Sequence, residues 1–326
     1  MLVTRPAGSH DDLWLVNPED GSSIASGSLP GHAGTVAPAP DGLAVAYLPA
    51  NGAAKVWITD GAEVRTIGLQ TAGVKRVQGV AWLGTQQLVV SGAPRNTLDP
   101  LAYRLYLLDL DTGTVRSYRG LSGVDPSARA GKLVYVDFVR LSGGTRPLVR
   151  ERLKLLSTDG AGAGRIVATV RYRISTGRRS FSHPLLSADT QWLLADKTGS
   201  SRVTYSVMDR AGTSLLTLFS PSAQAGAWDA TSARVAMGGM VPTAGTNDAC
   251  VWVSDVTGGT VLRTPAGLMG DVSITSLAWS PTGTRLAAEA TGSDVQSVSR
   301  HLFVLPADLT WFRDLGEGAL PVWIVQ

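Results

Sequence analysis

Leu277-Ala278-Trp279-Ser280-Pro281-Thr282-Gly283-Thr284-Arg285-Leu286-Ala287-Ala288 reads as a short apolar strand, a Ser-Pro-Thr-Gly turn and a second apolar strand. The phrase recurs upstream. Val80-Ala81-Trp82-Leu83-Gly84 precedes Gln87-Leu88-Val89-Val90, and Ala227-Trp228-Asp229-Ala230 precedes Arg234-Val235-Ala236-Met237. Weaker copies begin at Ala37, Ser127 and Leu185. Self-similarity of this kind marks a repeat architecture.

Between these copies lies a second phrase, three or four apolar residues followed by a turn that usually carries Asp and Gly. It appears as Leu13-Trp14-Leu15-Val16, Val56-Trp57-Ile58, Leu105-Tyr106-Leu107-Leu108, Leu153 to Leu156, Tyr205 to Met208, Val251-Trp252-Val253 and His301-Leu302-Phe303-Val304. The turn glycines at 21, 61, 113, 160, 212 and 258 stand 40, 52, 47, 52 and 46 residues apart. Asp-Gly pairs suit tight hairpins because glycine accepts positive φ without a Cβ clash. Each unit therefore reads as four short antiparallel strands, the pattern of a β-propeller blade. No stretch has a persuasive 3.6-residue apolar period, so helices are expected to be few.

Six units fit at about 33–72, 76–121, 124–171, 182–220, 224–268 and 274–315. The leftovers complement each other: 317–326 supplies a first strand and 1–30 the other three. The expectation is an all-β, seven-bladed propeller occupying residues 1–326 as one domain, its ends closed in a shared blade. Closure removes the exposed sheet edges of an open array.

Composition narrows the classes. The 326 residues carry 29 Lys+Arg against 26 Asp+Glu, a net charge of +3, with 17% charged and 44% hydrophobic residues. This excludes a disordered tail, a coiled coil and a collagen-like fibre. A balance so near neutral gives no reason to expect a nucleic-acid partner, which needs a clustered basic patch. Arginine outnumbers lysine 24 to 5, which we read as a coding bias. One cysteine, Cys250, excludes an internal disulfide. No 18-residue apolar run predicts a membrane span, and the start lacks a charged-then-apolar leader. The chain as given thus reads as cytoplasmic, or as periplasmic or extracellular if an export signal has been removed. A closed ring predicts a monomer, and no cofactor or metal motif is present.

The tryptophans fall into equivalent positions: Trp14, Trp57 and Trp252 in one, Trp82, Trp228, Trp279 and Trp323 in another. Equivalence around a ring is what gap-filling between blades predicts; an aromatic binding box would gather them in one place.

Trp279-Ser280-Pro281-Thr282-Gly283-Thr284-Arg285-Leu286-Ala287 is similar to the W-S-P-D-G-x-x-I-A phrase of TolB-like, WD-repeat-like bacterial propellers, and Pro40-Asp41-Gly42-Leu43-Ala44-Val45-Ala46 is a second copy. Gly31-His32 resembles the Gly-His that opens WD repeats, although the one Trp-Asp pair, Trp228-Asp229, stands on a first strand. The resemblance implies a propeller that binds other proteins, often at the bacterial envelope.

Loops between second and third strands, with the inter-blade connections, emerge on one face around the channel mouth. Long ones are expected at Gly92–Ala102, Leu141–Val149, Gly238–Ala249 and Thr291–Ser299, and loops on a rigid scaffold are where binding residues usually lie. Arg140, Arg146, Arg150, Arg171, Arg173, Arg178 and Arg179 gather in the sector of units 124–171 and 182–220. Guanidinium forks pair with carboxylates and phosphates, so this sector is the candidate surface for a protein or peptide partner, in particular an acidic one. His32, Gln78, Asp125 and His183 are the polar residues expected just before first strands, at the channel mouth. If the protein is an enzyme, a lyase or hydrolase, His183, His32 and Asp125 are the candidate catalytic groups. The preferred reading is a non-enzymatic scaffold; a small-molecule-binding propeller is the third. Cys250 reads as a small core residue, and the turn aspartates Asp159, Asp189, Asp229 and Asp255 as local backbone caps.

Overall fold

The computed structural model describes residues 1–143, 148–159, 164–173, 181–198, 203–220, 225–243, 246–257, 260–265, 272–294 and 297–324. Among the described residues, twenty-eight strands form seven four-stranded antiparallel sheets. The N-terminal strands are β1 (Leu2–Ala7), β2 (His10–Val16) and β3 (Ser23–Ser28). Blade 1 holds β4 (Ala33–Pro38), β5 (Val45–Pro49), β6 (Lys55–Thr59) and β7 (Val64–Gly68). Blade 2 holds β8 (Arg76–Trp82), β9 (Gln87–Ala93), β10 (Arg104–Asp109) and β11 (Val115–Ser122). Blade 3 holds β12 (Val124–Arg129), β13 (Lys132–Arg140), β14 (Leu148–Ser157) and β15 (Arg165–Arg173). Blade 4 holds β16 (Phe181–Leu186), β17 (Trp192–Thr198), β18 (Val203–Asp209) and β19 (Ser214–Ser220). Blade 5 holds β20 (Ala225–Trp228), β21 (Arg234–Thr243), β22 (Thr246–Asp255) and β23 (Val261–Arg263). Blade 6 holds β24 (Val272–Trp279), β25 (Arg285–Asp294), β26 (Ser297–Pro306) and β27 (Arg313–Glu317).

The last strand, β28 (Ala319–Val322), pairs antiparallel with β1 and completes blade 7 in the order β28-β1-β2-β3. The ends therefore share one sheet, as the repeat count requires. The first strands touch in sequence around the ring, from β4 through β8, β12, β16, β20 and β24 to β28, which meets β4 again. Among the described residues the only helical turns are two 3₁₀ segments, Gln70–Ala72 and Pro100–Ala102, and no helix is long and apolar enough to cross a membrane.

Packing between blades explains the tryptophan pattern. Trp82 donates its indole N–H to the Ala37 carbonyl at 2.8 Å, Trp228 to Leu185 at 3.1 Å, Trp279 to Ala227 at 3.2 Å and Trp323 to Ala278 at 3.0 Å. Each acceptor lies on the first strand of the preceding blade. A large apolar ring thus fills each of these four seams while its one polar atom is satisfied across it, as a buried indole requires. Cys250 is buried beside Trp252 in the core of blades 4 and 5, as the sequence suggests.

Two expected loops are corrected. Residues 238–243, 246–249, 291–294 and 297–299 are strand: β21 and β22 pair as far as Thr243 with Thr246, and β25 and β26 as far as Asp294 with Ser297. Their glycine-rich or polar composition reads as loop. Ladder hydrogen bonds hold them, and those leave no mark on side-chain pattern.

Of the aspartates expected to cap turns, Asp189 accepts the Gln191 amide at 3.0 Å and Asp229 the Arg234 amide at 3.2 Å, while Gly160 and Gly258 lie outside the described residues. Gly21, Gly61, Gly113 and Gly212 all have positive φ. At Gly212 a Cβ would also sit 2.1 Å from the Val167 carbonyl oxygen, so no other residue fits. The Asp60 carboxylate accepts from the Ala62 and Glu63 amides at 2.9 and 3.1 Å, which hold it below the ordinary aspartate value. The Asp109 and Asp209 carboxylates are lowered in the same way by the Thr112 and Thr213 amides. A lowered folded-state value means that these caps stabilise fully above the unfolded value, near 4, and are lost as pH falls through the folded value. Melting temperature is therefore expected to hold between about pH 7 and 5 and to drop below about pH 4. Asp60→Asn, which keeps an acceptor without the titration, should make that drop shallower in a thermal melt series.

Candidate functional site

The first strand of every blade is an edge strand facing the central channel, so it tolerates irregularity that an inner strand does not. β12 and β16 each carry a bulge, between Val124 and Ser127 and between Ser182 and Leu185, and the β1–β28 register breaks likewise. At these bulges Asp125, His183 and Leu320 adopt left-handed backbone with φ of 49°, 45° and 48°. Each precedes a proline, Pro126, Pro184 or Pro321, whose missing N–H is harmless on an edge. A non-glycine residue in this region costs about 1–3 kcal/mol, and such residues cluster where function over-determines the backbone.

Asp125 and His183 thus lie within first strands rather than before them, and so does Gln78 in β8; the bulge displaces them from the positions the repeat predicts. Blades 3 and 4 bring the first two together, with the His183 amide 3.5 Å from an Asp125 carboxylate oxygen. His32 does stand just before β4, three blades from His183, and serves another purpose. Its Nδ1 lies 2.8 Å from the buried Asp11 carboxylate, whose other oxygen accepts the Ala33 amide at 2.8 Å. This group clamps the crossing from blade 7 to blade 1. Glu151 does the same for the next crossing but two, accepting the Phe181 amide at 2.6 Å.

The arginine sector divides between the two sides of blade 3. Alternation along β13 and β14 sends Val134, Val136, Phe138 and Leu153 into the core shared with blade 4, and Leu133, Tyr135 and Leu156 toward blade 2. Arg140, exposed at the end of β13, belongs by this phase to the blade 4 side, whereas Arg150, Arg152 and Lys154 belong to the blade 2 side. Arg150 is the direct cross-strand partner of the exposed Arg171. Like charges placed opposite one another destabilise a sheet pair. Neither has a hydrogen-bond or ion-pair partner among the described residues, and the Arg150 Nε is buried without one. Below them, Arg152 and Lys154 share the single buried carboxylate of Asp137. Arg173 is the last residue of β15, opposite Leu148, while Arg146, Arg178 and Arg179 lie outside the described residues. Residues 138–188 hold ten Arg and Lys against two acids, Glu151 and Asp159, in a chain whose net charge is only +3. Lys154 and the seam beneath it escaped the sequence reading; the i, i+2, i+4 spacing of Arg150, Arg152 and Lys154 on one strand was the available signal.

With this geometry the chain is a seven-bladed β-propeller with structural similarity to TolB-like propellers at low sequence identity. A hypothetical selenium-binding protein from Sulfolobus tokodaii superposes with a TM-score of 0.62 at 10% identity, over 97% of this chain and 91% of that one. Hydrazine synthase from Kuenenia stuttgartiensis gives 0.56 at 14%, over 84% and 76%, and TolB from Acinetobacter baumannii gives 0.50 at 14%, over 98% and 79%. At these identities the likeness is one of fold, and propellers host unrelated functions. No protein-family model and no curated protein matches the chain.

Proposed function

We propose that this propeller is a non-enzymatic binding platform whose connection-bearing face takes an acidic protein or peptide through the arginine sector of blade 3 and the blade 3–4 connection. The observation that carries this reading is the Arg150–Arg171 pair: two arginines in direct cross-strand register with no carboxylate partner among the described residues. An incoming carboxylate row would relieve that repulsion and satisfy both forks. The charge excess of residues 138–188 extends the same field across the rim and would steer an acidic partner. The lyase or hydrolase reading would need His32 beside His183 and Asp125, and His32 is committed to Asp11.

A direct test is titration of a fluorescent poly-glutamate peptide at two salt concentrations. The wild type is expected to bind with a marked salt dependence, and Arg171→Glu to weaken binding about tenfold or more, since it removes one charged contact and adds a repulsive one. Binding that is insensitive to both salt and Arg171→Glu would remove the basis for this reading. Arg171→Glu also replaces a like-charge cross-strand pair with an opposite-charge one, so its melting temperature should be at or above that of the wild type.

A further inference from the structure

The seam between blades 2 and 3 lacks the corner indole that Trp82, Trp228, Trp279 and Trp323 supply at four others. Where β8 of blade 2 ends on Trp82, opposite Leu88, the register of blade 3 places Ala128 opposite Leu133. No indole closes this seam. Tyr118 and Tyr135 fill it instead, packed with Leu105, Leu107 and Leu156. At the outer end of this seam, on the rim opposite Arg140, a cleft of about 650 Å³ opens. Leu83 and Leu107 form its apolar wall, and Arg116, Tyr118, Gln87 and Asp159 supply polar groups.

This seam also concentrates unmet hydrogen bonding. Six buried side-chain polar atoms in the described residues lack a partner, and four of them, the Tyr118 and Tyr135 hydroxyls and the Arg150 and Arg152 Nε atoms, belong to residues facing this seam. Elsewhere Tyr205 donates to the Ala225 and Gly238 carbonyls and Tyr103 to Thr97, while the Tyr47 hydroxyl in blade 1 is also unpartnered. An orphaned buried donor costs about 1–3 kcal/mol, and of these four residues Tyr118 lines the cleft. All four are donors. Burial raises the Tyr118 hydroxyl above its ordinary value, against the opposing pull of Arg119, and burial raises Tyr135 likewise, so both keep their protons at neutral pH. At the cleft itself Arg116 is exposed and has no partner among the described residues, while Arg119 is tied to the Ser157 and Thr158 carbonyls across the seam.

From this we infer that the cleft between blades 2 and 3 binds a small organic acid, its apolar body against Leu83 and Leu107 and its anionic oxygens at Arg116 and the Tyr118 hydroxyl. Cleft size is in the range of small-molecule sites, and an apolar wall with a few convergent donors is how such sites orient a ligand. The site is separate from the partner-binding rim and does not depend on it.

Isothermal titration with benzoate, and with benzamide as the neutral isostere, tests this. Wild type is expected to bind benzoate at one site and benzamide not at all. Arg116→Gln should weaken benzoate about tenfold or more, the worth of a charge-assisted contact, and Tyr118→Phe about fivefold, the worth of a neutral one. Both variants should melt at or above the wild-type temperature, because neither side chain has a partner to lose. Arg171→Glu should bind benzoate as wild type does, which separates this site from the rim. Equal binding of benzamide, unchanged affinity in Arg116→Gln, or no heat from benzoate at millimolar concentration would overturn the assignment.

Discussion

Trp82→Ala is expected to lower the free energy of unfolding by about 3–5 kcal/mol, the largest single-residue loss we anticipate in a seam. Three effects add. The indole is 4% exposed and packs in the core that blades 1 and 2 share, so its truncation opens a cavity between two sheets. The Ala37 carbonyl loses its donor. Backbone pairing across this gap is slight, an isolated bridge of Ala53 with Arg76 and the Val77 amide on the Gly52 carbonyl at 2.9 Å, so side chains such as Trp82 carry most of the contact. Trp82→Phe separates the terms: it keeps most of the ring volume and drops the N–H, at an expected cost of about 1–3 kcal/mol from the carbonyl left unsatisfied. Urea denaturation of the three proteins measures both. An alanine variant within about 1 kcal/mol of wild type would mean that the indoles are incidental to blade cohesion.

Asp137→Ala should cost a comparable amount for a different reason. Its carboxylate bonds the Arg152 guanidinium and lies 3.7 Å from the Lys154 ammonium, and the Asp137 and Lys154 side chains are only 9% and 10% exposed. Removing the one acid leaves two cations in a low-dielectric seam, a loss of about 3–5 kcal/mol. Lys154→Met in the same background should restore part of it, because the methionine keeps the stem's packing while removing a stranded charge. If the double variant is simply the sum of the two single ones, the three residues are not coupled and the seam does not behave as a buried ionic cluster.

Much of the architecture was legible because propeller blades are built from local pairings. Each hairpin joins strands that are neighbours in sequence, so the phrases around Trp279 and Trp252 suffice to predict a blade. The complementary leftovers at 317–326 and 1–30 then predict closure through β28. The turn caps were legible for the same reason, since Asp60 and its amide partners lie within three residues. The site was less so. The arginines at 140, 150 and 171 read as one cluster along the chain, yet a one-residue change of strand phase sends Arg140 to the opposite side of blade 3 from Arg150. Asp125 and His183 were expected before their strands; edge-strand bulges carry them inside, an irregularity that pattern alone does not reveal.

By itself, then, the sequence determined the number of blades, their strand order and the closure of the ring, all consequences of short-range alternation and turn chemistry repeated seven times. Only the tertiary structure decided which seams are sealed by indoles and which is left polar, and which like charges face each other. Those depend on what the adjacent blade presents, and residues about 45 positions apart meet there without any pattern in the chain that records the meeting.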